Sequence, residues 1–168
     1  MILRQYRYRL RLHFIQTIYD MDFSVFALSH FKAEQCFDCT VPGYLIVSPV
    51  IPVVSLADLP QTAQEELGPA LAKTTGIIRN IINPLKIYCA QFGEEGPILH
   101  FHVFPRTKDV TSDFLRIYPE QKKLIHGPFL LDWARDRYRA SKTDVWKLTM
   151  PVILALREEF DRISNRST

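Results

Sequence analysis

An α+β domain, with an antiparallel sheet, one long helix packed on it and further helices at the C-terminal end, is the fold class that the 168-residue sequence predicts. Two observations carry this. β-rich runs come in two pairs, and a single long segment of helical periodicity, Ser55–Ile82, stands between the pairs. Helical patterns return only near the C-terminus, so the element order reads β, β, α, β, β, α. The whole chain, 1–168, reads as one domain with a core over about 23–107 and a helical extension over about 108–168.

In chain order, the first arm, Met1–Asp20, alternates charged and apolar residues over Arg7–His13, which suits a half-exposed strand or a flexible basic arm. Its arginines, Arg4, Arg7, Arg9 and Arg11, suit a solvated face or a clamp for a phosphorylated ligand. Phe23–Phe31 (FSVFALSHF) predicts a strand, Lys32–Asp38 a polar connection, and Val41-Pro42-Gly43 a turn. Tyr44–Val50 is continuously apolar and predicts a strand buried on both faces, ended by Pro49 and Pro52. Over Ser55–Ile82 the residues Leu67, Leu71, Thr74, Ile78 and Ile81 recur every three or four positions and predict one core-facing stripe. Pro60 suits the helix start and Asn83-Pro84 its end, while Gly68-Pro69 and Gly76 predict a kink or break. Leu85–Gln91 and Ile98–Phe104 predict a hairpin joined by FGEEGP. After Pro105-Arg106 the chain turns polar, then predicts helices near Phe129–Arg139 and Val145–Ile163, with Pro151 opening or kinking the second.

Composition narrows the function. A 47% hydrophobic and 23% charged chain excludes disorder, and a chain of this length builds a core without disulfides. The sum of 21 Lys and Arg against 18 Asp and Glu gives +3, too little to indicate nucleic acid as a partner. Three cysteines, with Cys36 and Cys39 in a C-x-x-C and Cys89 alone, do not form a secreted disulfide framework. Neither a secretory signal nor a run of about 20 apolar residues is legible, so a cytoplasmic protein without a membrane partner is expected.

The chemistry concentrates in Ile98-Leu99-His100-Phe101-His102-Val103-Phe104. On a strand, Leu99, Phe101 and Val103 share one face, which goes to the core, and His100 and His102 face outward together on the other. Two imidazoles so spaced can be metal ligands, a nucleophile with an anion-stabilising partner, or polar residues on a solvated face, the last being commonest. A metal would need further donors, and Cys36, Cys39, His13 and His30 are the candidates. Trp133, Trp146, Tyr138 and Phe160 fall at helical spacings and read as packing; Arg106, Lys108, Lys122 and Lys123 read as solvated surface or a phosphate-attracting rim. Glu94 and Glu95 read as turn residues.

Followed at once by Pro105-Arg106, and preceded far upstream by Val41-Pro42-Gly43-Tyr44-Leu45-Ile46-Val47-Ser48-Pro49 and Ser55-Leu56-Ala57-Asp58-Leu59, this strand resembles the catalytic strand of the histidine triad superfamily. The resemblance covers about Phe23–Thr107. It implies a nucleotide hydrolase or nucleotidyl transferase acting on a nucleoside phosphoanhydride or phosphoramidate, a dinucleoside polyphosphate first among them. Carried over, His100 is the catalytic nucleophile, His102 and Gln91 bind phosphate, and His30 and Ile46 contact the nucleotide. No metal site and no cofactor are implied, although Mg2+ can travel with the substrate phosphates. The partner is then the nucleotide substrate, and a homodimer is compatible with the family. Two departures stand out: Ile98 occupies the first triad position, and Tyr44 stands where a histidine usually follows the Pro-Gly turn. Because the family orients its nucleophile through the main-chain carbonyl of the first position, isoleucine can still serve there. Some relatives hold zinc with a C-x-x-C and the first triad histidine; Ile98 cannot ligate, so Cys36 and Cys39 read as structural thiols. The alternatives are a catalytically impaired nucleotide-binding protein and a protein-interaction module that docks through its C-terminal helices.

Overall fold

The computed structural model describes residues 21–93 and 98–166. The basic arm with Arg4, Arg7, Arg9, Arg11 and His13, and the loop residues Glu94 and Glu95, lie outside the described residues. Five strands form one antiparallel sheet: β1 (Ser24–Ala27), β2 (Phe31–Gln35), β3 (Leu45–Pro49), β4 (Lys86–Ala90) and β5 (Phe101–Arg106), in the order β1-β2-β3-β5-β4. The helices are α1 (Gln61–Ile82), α2 (Lys108–Ile117), α3 (Gly127–Arg137) and α4 (Lys142–Ser164). This is the expected α+β architecture, with the long helix packed on the sheet.

The first hairpin corrects two expectations. Phe23–Phe31 is not one strand, because the Leu28 N–H donates to the Phe31 carbonyl at 2.7 Å and turns the chain. Lys32–Gln35 is strand rather than polar connection, since FKAEQ alternates: Phe31, Ala33 and Gln35 are buried while Lys32 and Glu34 pair outside at 2.7 Å. Strand β3 is also buried alternately, not on both faces equally.

Helix α1 runs unbroken through Gly68, Pro69 and Gly76, contrary to the expected kink. Ala63, Ala70, Thr74, Ile77 and Ile78 are buried, which favours continuity over local propensity, while Ile81 turns outward. Pro60 precedes the first turn, and Asn83 ends the helix in the left-handed region at φ 49°. Helix α4 likewise continues through Pro151. The segment after Thr107 hides a helix that sequence reasoning missed. Thr107 accepts from the Val110 N–H at 3.2 Å as an N-cap, and Val110 and Phe114, four apart, supply a narrow apolar stripe in a polar sequence.

The sheet is covered on both faces. One face, with Phe31, Ala33, Leu45, Val47, Phe101 and Val103, packs under α1 and α4. The other, with Tyr44 and Phe104, packs under Val110 and Phe114 of α2 and Leu130, Leu131 and Ala134 of α3. Helix α4 is fastened to the N-terminal half by stacking of Phe26 on Phe160 at 4.4 Å, by Asn80 donating to Glu159 at 2.7 Å, and by Arg157 on the Ser24 carbonyl at 2.7 Å. The loop Cys36–Thr40 is fastened to the end of α3: Thr40 N–H donates to the Tyr138 carbonyl at 2.9 Å and Ala140 N–H to the Asp38 carbonyl at 3.0 Å. Tyr138 in turn donates to Asp113 of α2 at 2.8 Å.

Residues 108–166 therefore complete both hydrophobic layers, and a chain ending at Thr107 is expected to lose cooperative thermal unfolding and its near-UV circular dichroism. In the full chain, Leu156→Ala, at a fully buried α4 position, is expected to cost about 2–5 kcal/mol in urea unfolding. A truncated chain with a sharp melt would contradict this packing.

Candidate active site

Strand β5 pairs with β3 so that His102 stands opposite Ile46 and Val103 opposite Leu45. His100 lies one residue before the strand, held there because Leu99 N–H donates to the Val53 carbonyl at 2.7 Å. Its Nδ1 lies 2.8 Å from the Ile98 carbonyl. A carbonyl only accepts, so the neutral ring carries its proton on Nδ1 and leaves a lone pair on Nε2. Only the backbone of Ile98 makes this contact, so its side chain plays no part in it.

His102 is oriented by the second departure from the triad pattern. The Tyr44 hydroxyl is 2.7 Å from His102 Nδ1, and Tyr44 is wholly buried. Burial pushes the phenol well above its ordinary range, so it stays protonated. Among the described residues its one hydrogen-bond partner is this ring nitrogen, so the O–H donates to Nδ1 and the neutral His102 carries its proton on Nε2. The two rings meet edge to face, 4.8 Å between centroids, with opposite tautomers: a lone pair on one Nε2, a proton on the other.

Tyr44 is itself placed by Gln35, a residue with no sequence signal beyond lying in a polar run. The buried Gln35 amide donates to the Cys36 and Val41 carbonyls and accepts from Gly43 N–H at 2.9 Å, closing the loop that leads into Tyr44. Gly43 has φ 75°, and a Cβ there would stand 2.9 Å from Ile82, so the turn requires glycine.

The imidazole face does not look outward as expected. His102 is only 6% exposed, and α3 roofs this side of the sheet. Between the β5 histidines and α3 is a cavity of about 470 Å³, lined on the sheet side by His100, His102, Phe92 and Gly93, and on the helix side by His126, Phe129, Asp132 and Arg135. Sequence reasoning missed the helix-side residues because the family motifs end at Thr107.

The remaining site candidates are distributed unevenly. Ile46 is half-buried beside His102, on the same face. Gln91 is exposed just beyond β4 and is not part of the cavity lining, where its neighbours Phe92 and Gly93 stand instead. His30 sits in the β1–β2 turn, its backbone N–H donating to Glu66 of α1 at 2.8 Å, and does not line the cavity. Cys36 and Cys39 are buried free thiols between the loop and α3. The Cys36 thiol donates to Asp38 at 3.0 Å, and burial raises Cys36 strongly and Cys39 to about 11. Among the described residues no third donor converges on the two thiols, and no group of three His, Cys, Asp or Glu side chains is arranged to hold a metal. Among them, too, no helix is long and apolar enough to cross a membrane.

No protein-family model and no curated protein matches the sequence. Solved structures do. A hypothetical histidine triad nucleotide-binding protein from Sulfolobus tokodaii superposes with a TM-score of 0.58 at 12% identity, over 84% of this chain and 85% of that one. A zinc-bound histidine triad family protein from Mycobacterium smegmatis gives 0.53 at 14% identity, over 86% and 88%. A Hit-like protein from Bartonella henselae gives 0.47 at 21% identity, over 52% and 70%. The chain has the histidine triad fold.

Burial of the thiols and phenol gives stability a definite pH dependence. Cys36, Cys39 and Tyr44 ionise at higher pH when folded than when unfolded, so the stability they lend is complete below about pH 9 and declines as pH rises beyond it. Denaturant midpoints measured from pH 7 to 11 are expected to fall above about pH 9. A Cys36→Ser, Cys39→Ser double variant should hold its midpoint until about pH 10, where Tyr44 takes over. A flat profile in the wild type would contradict the burial described.

Proposed function

We propose that the protein is a nucleotide hydrolase or nucleotidyl transferase, in which His100 Nε2 attacks the α-phosphorus of a nucleoside phosphoanhydride or phosphoramidate. The observation that carries the reading is the contact of His100 Nδ1 with the Ile98 carbonyl at 2.8 Å, which turns a lone pair toward the cavity shared with His102. In the first step an Nε2–P bond forms, and the bond from phosphorus to the leaving group breaks with its electron pair going to the leaving atom; a phosphate departs as the anion, and an amine departs after the phosphoramidate nitrogen takes up a proton from water. His102 Nε2–H donates to a non-bridging phosphate oxygen as charge builds there. Water then attacks the nucleotidyl-histidine and gives up a proton to solvent, the N–P bond breaks with its electron pair returning to Nε2, and mononucleotide is released with neutral His100 restored. Ile46, half-buried beside His102, supports an apolar contact to the nucleoside, and Mg2+ is read as arriving on the substrate phosphates. The Gln91 side-chain amide lies beside Gly93 of the cavity lining, which supports a phosphate contact from Gln91, while His30 in the β1–β2 turn is a ribose-side candidate outside that lining.

A nucleotide-binding protein without turnover is the second reading, favoured by the two substitutions Ile98 and Tyr44 in the triad pattern. Incubation with diadenosine tetraphosphate and with adenosine phosphoramidate separates the two. The wild type is expected to release mononucleotide and carry a nucleotidyl adduct in intact mass spectra, and His100→Ala to lose at least about a thousandfold in rate and all adduct. Thermal stabilisation by nucleotide with no release in either protein would favour binding alone.

A further inference from the structure

The reading above uses only the sheet side of the cavity, yet the helix side carries its own polar groups. Attack at phosphorus is in line, so the leaving group departs on the side opposite the nucleophile. With His100 on the sheet side, that direction points across the cavity to α3 and its cap. His126 caps α3: its Nδ1 accepts from Phe129 N–H at 3.2 Å, so the neutral ring carries its proton on Nε2 and is a donor there. Arg135 lines the same wall, close enough to Tyr44 and Cys39 that its positive charge partly offsets the upward shift of both. Asp132, one turn before Arg135, is an acceptor and can take a sugar hydroxyl.

We infer that His126 and Arg135 bind the leaving group, and that this group is an anionic phosphate chain rather than an amine. The inference rests on the assignment of His100 as the nucleophile. An imidazole N–H and a guanidinium both donate, and phosphate oxygens accept from both, whereas an ammonia or alkylamine leaving group gains nothing from either. The C-terminal extension thus supplies a third histidine to the cavity, from a different element than the first triad position that Ile98 occupies.

Affinities for AMP and for an adenosine tetraphosphate analogue with a methylene bridge between its α- and β-phosphorus, measured by titration calorimetry on the full chain, test this directly, because neither ligand can be turned over. The wild type is expected to bind the longer chain at least about tenfold more tightly. His126→Asn, which preserves the helix cap, and Arg135→Gln should each bring the ratio of the two affinities toward one. No preference in the wild type, or a preference unchanged in both variants, overturns the inference while leaving turnover through His100 intact. Conversely, a preference that both variants abolish, in a protein that fails to cleave diadenosine tetraphosphate, supports the phosphate-chain subsite and removes the catalytic reading alone. Failure of the wild type to bind either nucleotide overturns both.

Discussion

Strand β5 is covered on both faces, and that constraint governs the rest of the molecule. Its apolar face, Phe101 and Val103, lies in the α1–α4 layer with Leu99 just before it, while its other face bears an imidazole, His102, and Phe104 beneath α3. A buried imidazole needs each ring nitrogen accounted for, since an unpaired polar atom in the interior costs on the order of 1–3 kcal/mol. The Tyr44 hydroxyl, from just before β3, serves the buried His102, and the Ile98 carbonyl serves the partly exposed His100 from the same chain segment. The elements that lead to Tyr44, namely the Gln35 clamp and the Gly43 turn, are positioned by the same requirement.

These two contacts differ in what they ask of the residue that makes them. Where the contact is made by backbone, as at Ile98, the side chain is free to change. Where it is made by a side chain, as at Tyr44, the residue itself must bring the donor, and a buried phenol does so without adding charge. The opposite tautomers that result give neighbouring rings complementary roles from identical residues.

Much of the fold was legible because the decisive signals are local. The 3.6-residue stripe of α1 and the hairpin of β4 and β5 follow from periodicity, and the His-x-His strand announces itself. What was not legible depends on long-range packing. Gly68-Pro69 should break a helix by propensity, yet burial of Ala63, Ala70 and Ile77 keeps α1 continuous. FKAEQ looks like a polar connection until its alternation is matched against β3. At the site, His100 and His102 were legible from spacing; the wall facing them was not. His126, Asp132 and Arg135 come from a helix beyond the motif, and nothing in their spacing announces that α3 folds back over β5.

Hydrogen bonding fixes His102 of β5 and His100, one residue before that strand, in opposite neutral tautomers, leaving a lone pair on His100 Nε2. Long-range nitrogen–proton NMR correlation of the imidazoles at pH 8 tests it most directly, with His100→Gln and His102→Gln spectra to assign the signals. The account expects His100 protonated on Nδ1 and His102 on Nε2. A His100 ring protonated on Nε2, or on both nitrogens at that pH, would contradict it.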